Sequence, residues 1–408
     1  MQRSPDEHDV PHGTAGSTEE SRHLVHESEE RALPPAASKV LIVGGGIGGL
    51  SSAIALTARG IDVEIVEQNP KWDVYGVGII QPGNAMRALH QLGLLDEALQ
   101  AGFAMDGDRF FLADGTQLAD NDFPRLVGPE FPGLNGITRP RLHEILTSAV
   151  KRSGAKVTLG HRVQTLAQDD AGVDVELTDG SSGRYDLVIG ADGVFSQTRK
   201  LVFPDAPEPR YTGQAVWRYN LPRPPEVDKL TMYAGPEAKA GLVPLAPDLM
   251  YLLYIDTPGA AGAQLDPNTL ADTLRDRLEH FGGQIAEVRD QITDSSKVVY
   301  RPVETVWVDP DWQRGRVALI GDAAHATSPH VGQGAAMALE DSVVLADELA
   351  RADTLGDAFA GFGRRRYQRV RTIVEISEQI AQWEIERVRD ADFVGLTMKS
   401  VMVTAEPI

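Results

Sequence analysis

Six residues near the start of the ordered sequence, Gly44-Gly45-Gly46-Ile47-Gly48-Gly49, carry the spacing G-x-G-x-x-G, with the motif glycines at 44, 46 and 49. This spacing suits a dinucleotide. The glycines permit a tight strand-to-helix turn, close approach of backbone to a pyrophosphate, and close packing of helix on strand. Gly48 belongs to the same turn. The helix that must follow offers free N–H groups and the positive end of its dipole to phosphates. Glu67 comes 18 residues after Gly49, where a carboxylate can accept both hydroxyls of an unphosphorylated ribose. The loop alone leaves NAD and FAD both open. Two aspartate motifs lie further on. One is Asp192-Gly193 in DLVIGADGVFSQTR (186–199). The other is Gly321-Asp322 in RVALIGDAAHATSPHVGQGAAMALED (316–341), which runs through Pro329 and His330 to Gly332-Gln333-Gly334. The chain has no cysteine, which excludes disulfides, thiolate nucleophiles, zinc–thiolate centres and a cysteinyl bond to a flavin. Four histidines, His8, His12, His23 and His26, have no acidic or thiolate scaffold and read as solvated residues, so no metal site is expected.

The elements that must position these residues show in the hydropathy pattern. VLIVG (40–44) is a continuous apolar run, as a strand buried on both faces requires. Leu50, Ile54 and Ala58 then recur at helical spacing, Gly60 breaks the helix, and DVEIVE (62–67) makes a second strand. SGAKVTLGHRV (153–163), GVDVELTDG (172–180) and YDLVIGADG (185–193) read as further strands. From 208 to 305 the texture changes to Pro-punctuated aromatic strands, AVWRYNL (215–221), KLTMYAG (229–235) and MYLLYIDT (250–257), interrupted by a helix near 268–280. RVALIGD (316–322) returns to the first pattern. A long amphipathic helix is predicted from about 356 to 390, with Phe359, Phe362, Tyr367, Val370, Val374 and Ile385 on one side and the arginine run 364–366 as a solvated face.

The expected fold class is therefore α/β with an α+β insert: a Rossmann-like nucleotide domain, an inserted mixed β-sheet and a long C-terminal helix. The boundaries read from the sequence are a disordered tail over 1–38, a discontinuous nucleotide domain over 39–207 and 306–350, a substrate-binding sheet domain over 208–305, and a helical region over 351–408. The tail lacks the large apolar residues that would offset its ordering entropy. Over the whole chain of 408 residues, 59 acidic residues against 39 basic leave a formal charge of −20. That balance argues against nucleic acid, whose phosphates need Lys and Arg, and against an anionic membrane surface. No apolar run approaches the roughly 18 residues that span a bilayer, and the first residues lack a signal-peptide pattern. A cytoplasmic protein is expected.

The glycine loop, the Asp-Gly motif and the Gly-Asp motif, in this order and at these distances, resemble the class A (single-component) flavoprotein monooxygenases, which include para-hydroxybenzoate, salicylate and urate hydroxylases. The resemblance spans about 39 to 390. It implies non-covalent FAD, NADH or NADPH as co-substrate, O2, and hydroxylation of a phenolic or nitrogen-heteroaromatic small molecule through a flavin C4a-hydroperoxide. An epoxidase, N-hydroxylase or tetracycline-type monooxygenase on the same scaffold is the alternative. A halogenase is disfavoured, because the tryptophans at 72, 217, 307, 312 and 383 include no W-x-W. The enzyme is expected to be a monomer or homodimer.

The resemblance also assigns roles. Glu67 would hold the adenosine ribose, although Gln68 follows it where many members carry Arg or Lys. Arg139, in ITRPRLHEIL (137–146), would reach the FAD diphosphate, and Val163 would give backbone contacts to adenine. Asp192 would lie near the pyrophosphate and the nicotinamide path, and Asp322 would bond the ribityl chain. Gly332, Gln333 and Gly334 would direct N–H groups at the flavin N1–C2=O edge. Pro329 would pack beside the isoalloxazine, or simply stop a strand. His325 reads as structural. Substrate contacts are expected from the second sheet and the loop after Tyr75. Arg218 and Tyr233 resemble an Arg/Tyr pair of members acting on heteroaromatic substrates, Arg218 anchoring substrate or flavin and Tyr233 polarising the substrate oxygen. Both also read as ordinary sheet residues. His330 is expected over the flavin, and Gln81 where its loop approaches the isoalloxazine.

Overall fold

Strands with buried side chains on both faces must be covered by helices on both sides, and the strand Lys39–Val43 sits at the centre of such an arrangement. The computed structural model describes residues 36–408 except 75, 259–264, 310 and 389; the tail with its four histidines, and Tyr75, lie outside the described residues. Six strands form the first sheet in the order Gln313–Arg314, Val317–Leu319, Leu187–Gly190, Lys39–Val43, Asp62–Glu67 and Lys156–Leu159. All pairs are parallel but the edge pair of Gln313–Arg314 with Val317–Leu319. Val40, Leu41 and Ile42 are all buried, which is why the run lacks alternation. The helices Ile47–Thr57 and Gly334–Arg351 cross at small residues, with Ser52 Oγ donating to Ser342 Oγ and Ser342 Oγ bonded to Gly48 O, both at 3.0 Å. Order begins before residue 39. The Ala36 N–H donates to Leu349 O at 2.9 Å and Ala37 is buried. Two alanines carry too little apolar surface to announce this in the sequence.

The second sheet has seven strands, in the order Val299–Thr305, Arg210–Pro222, Leu249–Asp256, Lys239–Ala246, Leu230–Ala234, Gly107–Leu112 and Gln117–Asp122. Its last two strands come from a hairpin inside the stretch that the sequence reading placed in the nucleotide domain. Edge pairing uses free backbone N–H and C=O groups, so the side-chain pattern of 107–122 gave no sign of which sheet it would join.

Period-two alternation gives this sheet two faces. Trp217, Tyr219, Tyr233, Leu242, Leu252 and Tyr254 pack under the helices Leu270–Arg277 and Gly283–Arg289. Val216, Val243, Leu245, Tyr251, Leu253 and Ile255 cluster on the other face with Val77. The long helix Leu355–Glu386 and the helix Phe393–Ala405 close the chain.

The arginine run 364–366 departs from its reading as a solvated face. Arg364 is exposed, but Arg366 is fully buried between Glu340, which it bonds through Nη1, and Asp341, whose Oδ1 accepts from Arg366 Nε at 2.8 Å. Three consecutive arginines span most of a helical turn, so one must face inward on an amphipathic helix. Among the described residues, no helix is long and apolar enough to cross a membrane.

Candidate active site

The carboxyl ends of the first sheet's strands carry the glycine loop. Gly44 adopts φ +108°, and a Cβ there would lie 2.5 Å from Ala191 O. A Cβ on Gly49 would lie 2.0 Å from Gly44 O. Packing of the loop on itself demands these two glycines. Gly46 differs: it is exposed, and a Cβ there would meet nothing within 4 Å. The helix Ile47–Thr57 starts behind it with no side-chain cap. Uncapped N–H groups facing open space form a cradle for an anion. Gly48, grouped above with the cofactor glycines, faces the helix Gly334–Arg351 instead. A Cβ there would lie in ordinary contact, 3.5 Å from Ala338 Cβ.

Glu67 is fixed beside this loop. Its Oε2 accepts from the Gly45 N–H at 2.7 Å and its Oε1 from the Asn69 N–H at 2.6 Å. Each oxygen keeps a second lone pair for a ligand hydroxyl. The His161 N–H donates to Glu67 O at 3.2 Å, so the strand that opens at Val163 begins alongside. His143 Nε2 lies 3.2 Å from Gly45 O. Burial lowers the pKa of His143 and keeps the ring neutral, against the pull of Gly45 O and Glu67. Trp72, at φ 48°, flanks Gly45 with its indole N–H buried and unpartnered. Nothing in the sequence pointed to His143 or Trp72, since a lone tryptophan in a polar loop has no periodicity to read.

Asp192 lies next to the loop, its Cα 3.0 Å from where a Gly44 Cβ would sit. Its carboxylate is committed to the helix Gln197–Val202: Oδ1 accepts from Ser196 Oγ at 2.5 Å, and Oδ2 from the Thr198 N–H at 2.9 Å. Buried Arg199 ties this motif to the second aspartate motif by donating to Ala323 O and Val194 O, both at 2.8 Å. Asp322 lies on the floor of a recess. Its surface is open to solvent, yet the protein enclosing it raises its pKa by desolvation, against the attraction of His325 and Arg139. Its Oδ1 lies 4.0 Å from the position a Gly334 Cβ would take, in front of the uncapped start of Gly334–Arg351. Gly332, at φ +65°, also opens on empty space. The Gln333 side chain turns inward, accepting from Asn84 Nδ2 at 3.0 Å, and leaves only its backbone toward the recess. Gln81 is buried, its Oε1 accepting from Asn135 Nδ2 at 2.7 Å while its Nε2 has no partner. His325 bonds Asp341 at 2.7 Å.

Three catalytic expectations change or sharpen. Arg218 lies on the inner face of the second sheet, with the Tyr251 hydroxyl as its hydrogen-bonding neighbour and Arg139 nearby. Tyr233 does not join it. The strand register links Tyr233 to Ala240, Ala240 to Tyr254 and Tyr254 to Trp217, and residues opposite in register share a face. Tyr233 therefore sits on the helix-covered face, stacked on Phe111 at 4.9 Å, its hydroxyl accepting from the Gln284 N–H at 3.2 Å. Tyr251, not Tyr233, is the tyrosine beside Arg218. Two strands separate those of Arg218 and Tyr233, so succession in sequence did not mean adjacency. His330 does not lie free over the recess either, because both ring nitrogens are engaged, with Ser328 and Glu384. Pro329 opens the short turn Pro329–Val331 beside it.

A family model described as an FAD binding domain matches residues 37–361. The chain belongs to the class A FAD-dependent aromatic hydroxylases. Among relatives of this hydroxylase, the 2-heptyl-3-hydroxy-4(1H)-quinolone synthase of Pseudomonas aeruginosa strain UCBPP-PA14 is 32% identical over 357 residues, covering 85% of this chain and 90% of that protein. The FAD-dependent urate hydroxylase of Klebsiella pneumoniae is 31% identical over 345 residues, covering 82% and 88%. The crystal structure of Klebsiella pneumoniae HpxO with FAD and uric acid superposes with a TM-score of 0.76 at 26% identity, covering 90% of this chain and 93% of that one. The protein is thus an FAD-dependent monooxygenase. Its residues fit the cofactor: two uncapped helix starts, open space at Gly46 and Gly332, and an orphaned indole donor at Trp72 line the first sheet's carboxyl edge. Bound FAD supplies the hydride-accepting and oxygen-activating chemistry.

Proposed function

We propose that this hydroxylase acts on a phenolic or nitrogen-heteroaromatic small molecule, consuming NADH or NADPH and O2, with the ring held against Arg218 and Tyr251. The observation that supports this reading is the state of Arg218. Burial lowers the pKa of its guanidinium, its electrostatic neighbours are Tyr251 and the cation Arg139, and its Nε has no partner. A buried guanidinium beside another cation is stabilised by an anion or a polarised oxygen. A phenolate, enolate or heteroaromatic carbonyl meets that need. Burial raises the Tyr251 pKa, so its hydroxyl stays protonated and can donate to the same oxygen. Stabilising the ring's oxyanion enriches its ortho and para carbons in electrons, which electrophilic hydroxylation requires. Val216, Val243 and Leu253 give this face a dry wall against water. The quinolone synthase is named for a quinolone that it makes and the urate hydroxylase for urate, both nitrogen-heteroaromatic rings.

In this reading Gly44, Gly46, Gly49 and the start of Ile47–Thr57 take the diphosphate, with Arg139. Glu67 takes the ribose, and Val163 lies by the adenine. Asp192 shapes the turn near the diphosphate, and Asp322 faces the ribityl chain. The backbone of Gly332, Gln333 and Gly334 faces the flavin ring beside Pro329. A cytoplasmic location belongs to the same reading. The test is anaerobic stopped-flow reduction by NADH or NADPH at about 450 nm, with and without each of a panel of phenols, hydroxypyridines, quinolones and urate. Acceleration by one ring compound, lost in Arg218→Met and reduced in Tyr251→Phe, is the expected result. Reduction that no ring compound accelerates overturns it, and points to the epoxidase or N-hydroxylase alternative.

A further inference from the structure

The turn Pro329–Val331 is tied to three other elements through one imidazole. His330 Nε2 lies 2.9 Å from Glu384 Oε2, and Nδ1 lies 2.8 Å from Ser328 Oγ. Ser377 Oγ, on the long helix, donates to Ser328 O at 2.9 Å. Glu384 Oε1 accepts from Lys239 Nζ at 2.7 Å, and Gln214 Nε2 donates to Oε2 at 3.0 Å. Lys239 and Gln214 belong to two strands of the second sheet. One carboxylate thus joins the turn, the long helix and the sheet.

Glu384 lies in the last turn of Leu355–Glu386, where the helix dipole disfavours a negative charge. Burial disfavours the charge too, yet Lys239 and His330 hold the carboxyl down at about 2. A local rule broken at a residue that serves three partners, two of them with buried side chains, marks a placed group. The His330 side chain is fully buried. Burial and Lys239 lower its pKa while Glu384 opposes them, and these two are the charged groups that face the ring. The neutral ring carries one N–H. A carboxylate can only accept, so the proton sits on Nε2, and Nδ1 accepts from the Ser328 hydroxyl.

We propose that Glu384 is a positioning residue, which fixes the turn bearing Pro329 against the second sheet by orienting the His330 ring. This rests on the reading that Pro329 flanks the flavin. The turn and the sheet then move as one body. The gap between them, where the substrate must enter and water must not, keeps a constant width.

The experiment compares three variants purified with FAD: Glu384→Gln, the double variant Lys239→Met with Glu384→Gln, and Pro329→Ala. Long-range 1H–15N NMR of the histidine rings reports the His330 tautomer, and absorbance at about 450 nm reports the flavin surroundings. The wild type is expected to show one Nε2–H tautomer throughout the neutral range. A glutamine amide can donate as well as accept, so Glu384→Gln admits the Nδ1–H form. The flavin band then shifts while FAD content stays at the wild-type level, and Pro329→Ala shifts the band as well. The double variant leaves no unpaired buried charge and carries the same expectation, which keeps the test open if the single variant fails to fold. Wild-type ring signals in both Glu384 variants overturn the inference. So do altered ring signals with an unshifted band, when Pro329→Ala does shift it. An unshifted band in all three overturns the placement of Pro329 beside the flavin, and the inference with it.

Discussion

Gly46 and Gly49 stand three residues apart in one motif, and the structure gives them opposite failures on substitution by alanine. At Gly46 the backbone is extended, with φ −83° and ψ −171°, which alanine adopts freely, and the added methyl meets no protein atom within 4 Å. The fold should therefore be unharmed, or steadied slightly by a stiffer unfolded chain. The methyl would instead occupy the space in front of the uncapped helix start, where the FAD diphosphate is proposed to lie. Displacing one charge-assisted hydrogen bond costs about 1.5–3 kcal/mol, so FAD should bind about 10- to 150-fold more weakly.

At Gly49 the methyl would lie 2.0 Å from Gly44 O, where real contacts do not fall below 3.0 Å. Helix and loop must separate by about 1 Å. Overpacking of that kind costs about 1–3 kcal/mol, a fall in Tm of roughly 2–12 °C for a domain of this class. Circular-dichroism melting of the apoproteins reads the stability term, and quenching of FAD fluorescence on titration reads the binding term. Gly46→Ala should move only the second, whereas Gly49→Ala should move the first. Wild-type FAD affinity in Gly46→Ala would refute the placement of the diphosphate. A lowered apoprotein Tm in that variant would refute the claim of open space.

The two tyrosines of the second sheet should separate in the same manner. Tyr233→Phe loses one hydrogen bond, worth about 1 kcal/mol of stability in urea titration, and should leave ring-stimulated flavin reduction intact, whereas Tyr251→Phe should slow that reduction. Arg366→Leu should cost about 3–5 kcal/mol in urea unfolding, because it removes the buried guanidinium shared by two buried carboxylates and leaves Glu340 to Arg369 and Asp341 to His325; a loss under 1 kcal/mol would contradict the burial. Asp108, buried in the strand next to the sheet's edge, has its pKa raised by desolvation from 3.8 to about 6, with Asn121 and Lys229 opposing. Its folded pKa exceeds its unfolded one, so stability is full below pH 3.8 and falls as pH rises through about 6. Above that the penalty is about 3 kcal/mol. Asp108→Asn still accepts from Asn121, so it should gain stability at pH 8 and little at pH 4; an equal effect at both would overturn the account.

Much of the nucleotide side was legible because its signals are local. The glycines at 44, 46 and 49, the strand that ends in Glu67 and the Gly321-Asp322 turn are each specified by neighbours a few residues away, and they mark the family as the comparisons show it. Substrate-side residues were less legible. Whether Tyr233 or Tyr251 shares a face with Arg218 depends on strand order and register, which hydrogen bonds between distant strands decide. MYLLYIDT nevertheless contained a usable clue. Tyr251 and Leu253 alternate with Leu252 and Tyr254, so one tyrosine of that strand had to face each side. His330 and Arg366 share another cause: each is explained by partners 25 or more residues away, Glu384 for His330 and Asp341 and Glu340 for Arg366, which no local window can supply. Trp72 carries a positive φ in a polar loop, which composition does not reveal.

The two faces of the second sheet also bear on how this catalyst could diversify. Along Arg210–Pro222, even-numbered Val216 and Arg218 lie on the face proposed to meet the ring, while odd-numbered Trp217, Tyr219 and Leu221 belong to the rear core; along Leu249–Asp256 the parity reverses. If the ring lies where it is proposed to, substrate preference and mechanical soundness are interleaved letter by letter in the same strands, yet they stay separable, since substitutions on opposite faces share few contacts and combine almost independently. A library confined to Val216, Val243 and Leu253 would explore new ring shapes while every rear-face codon stays fixed.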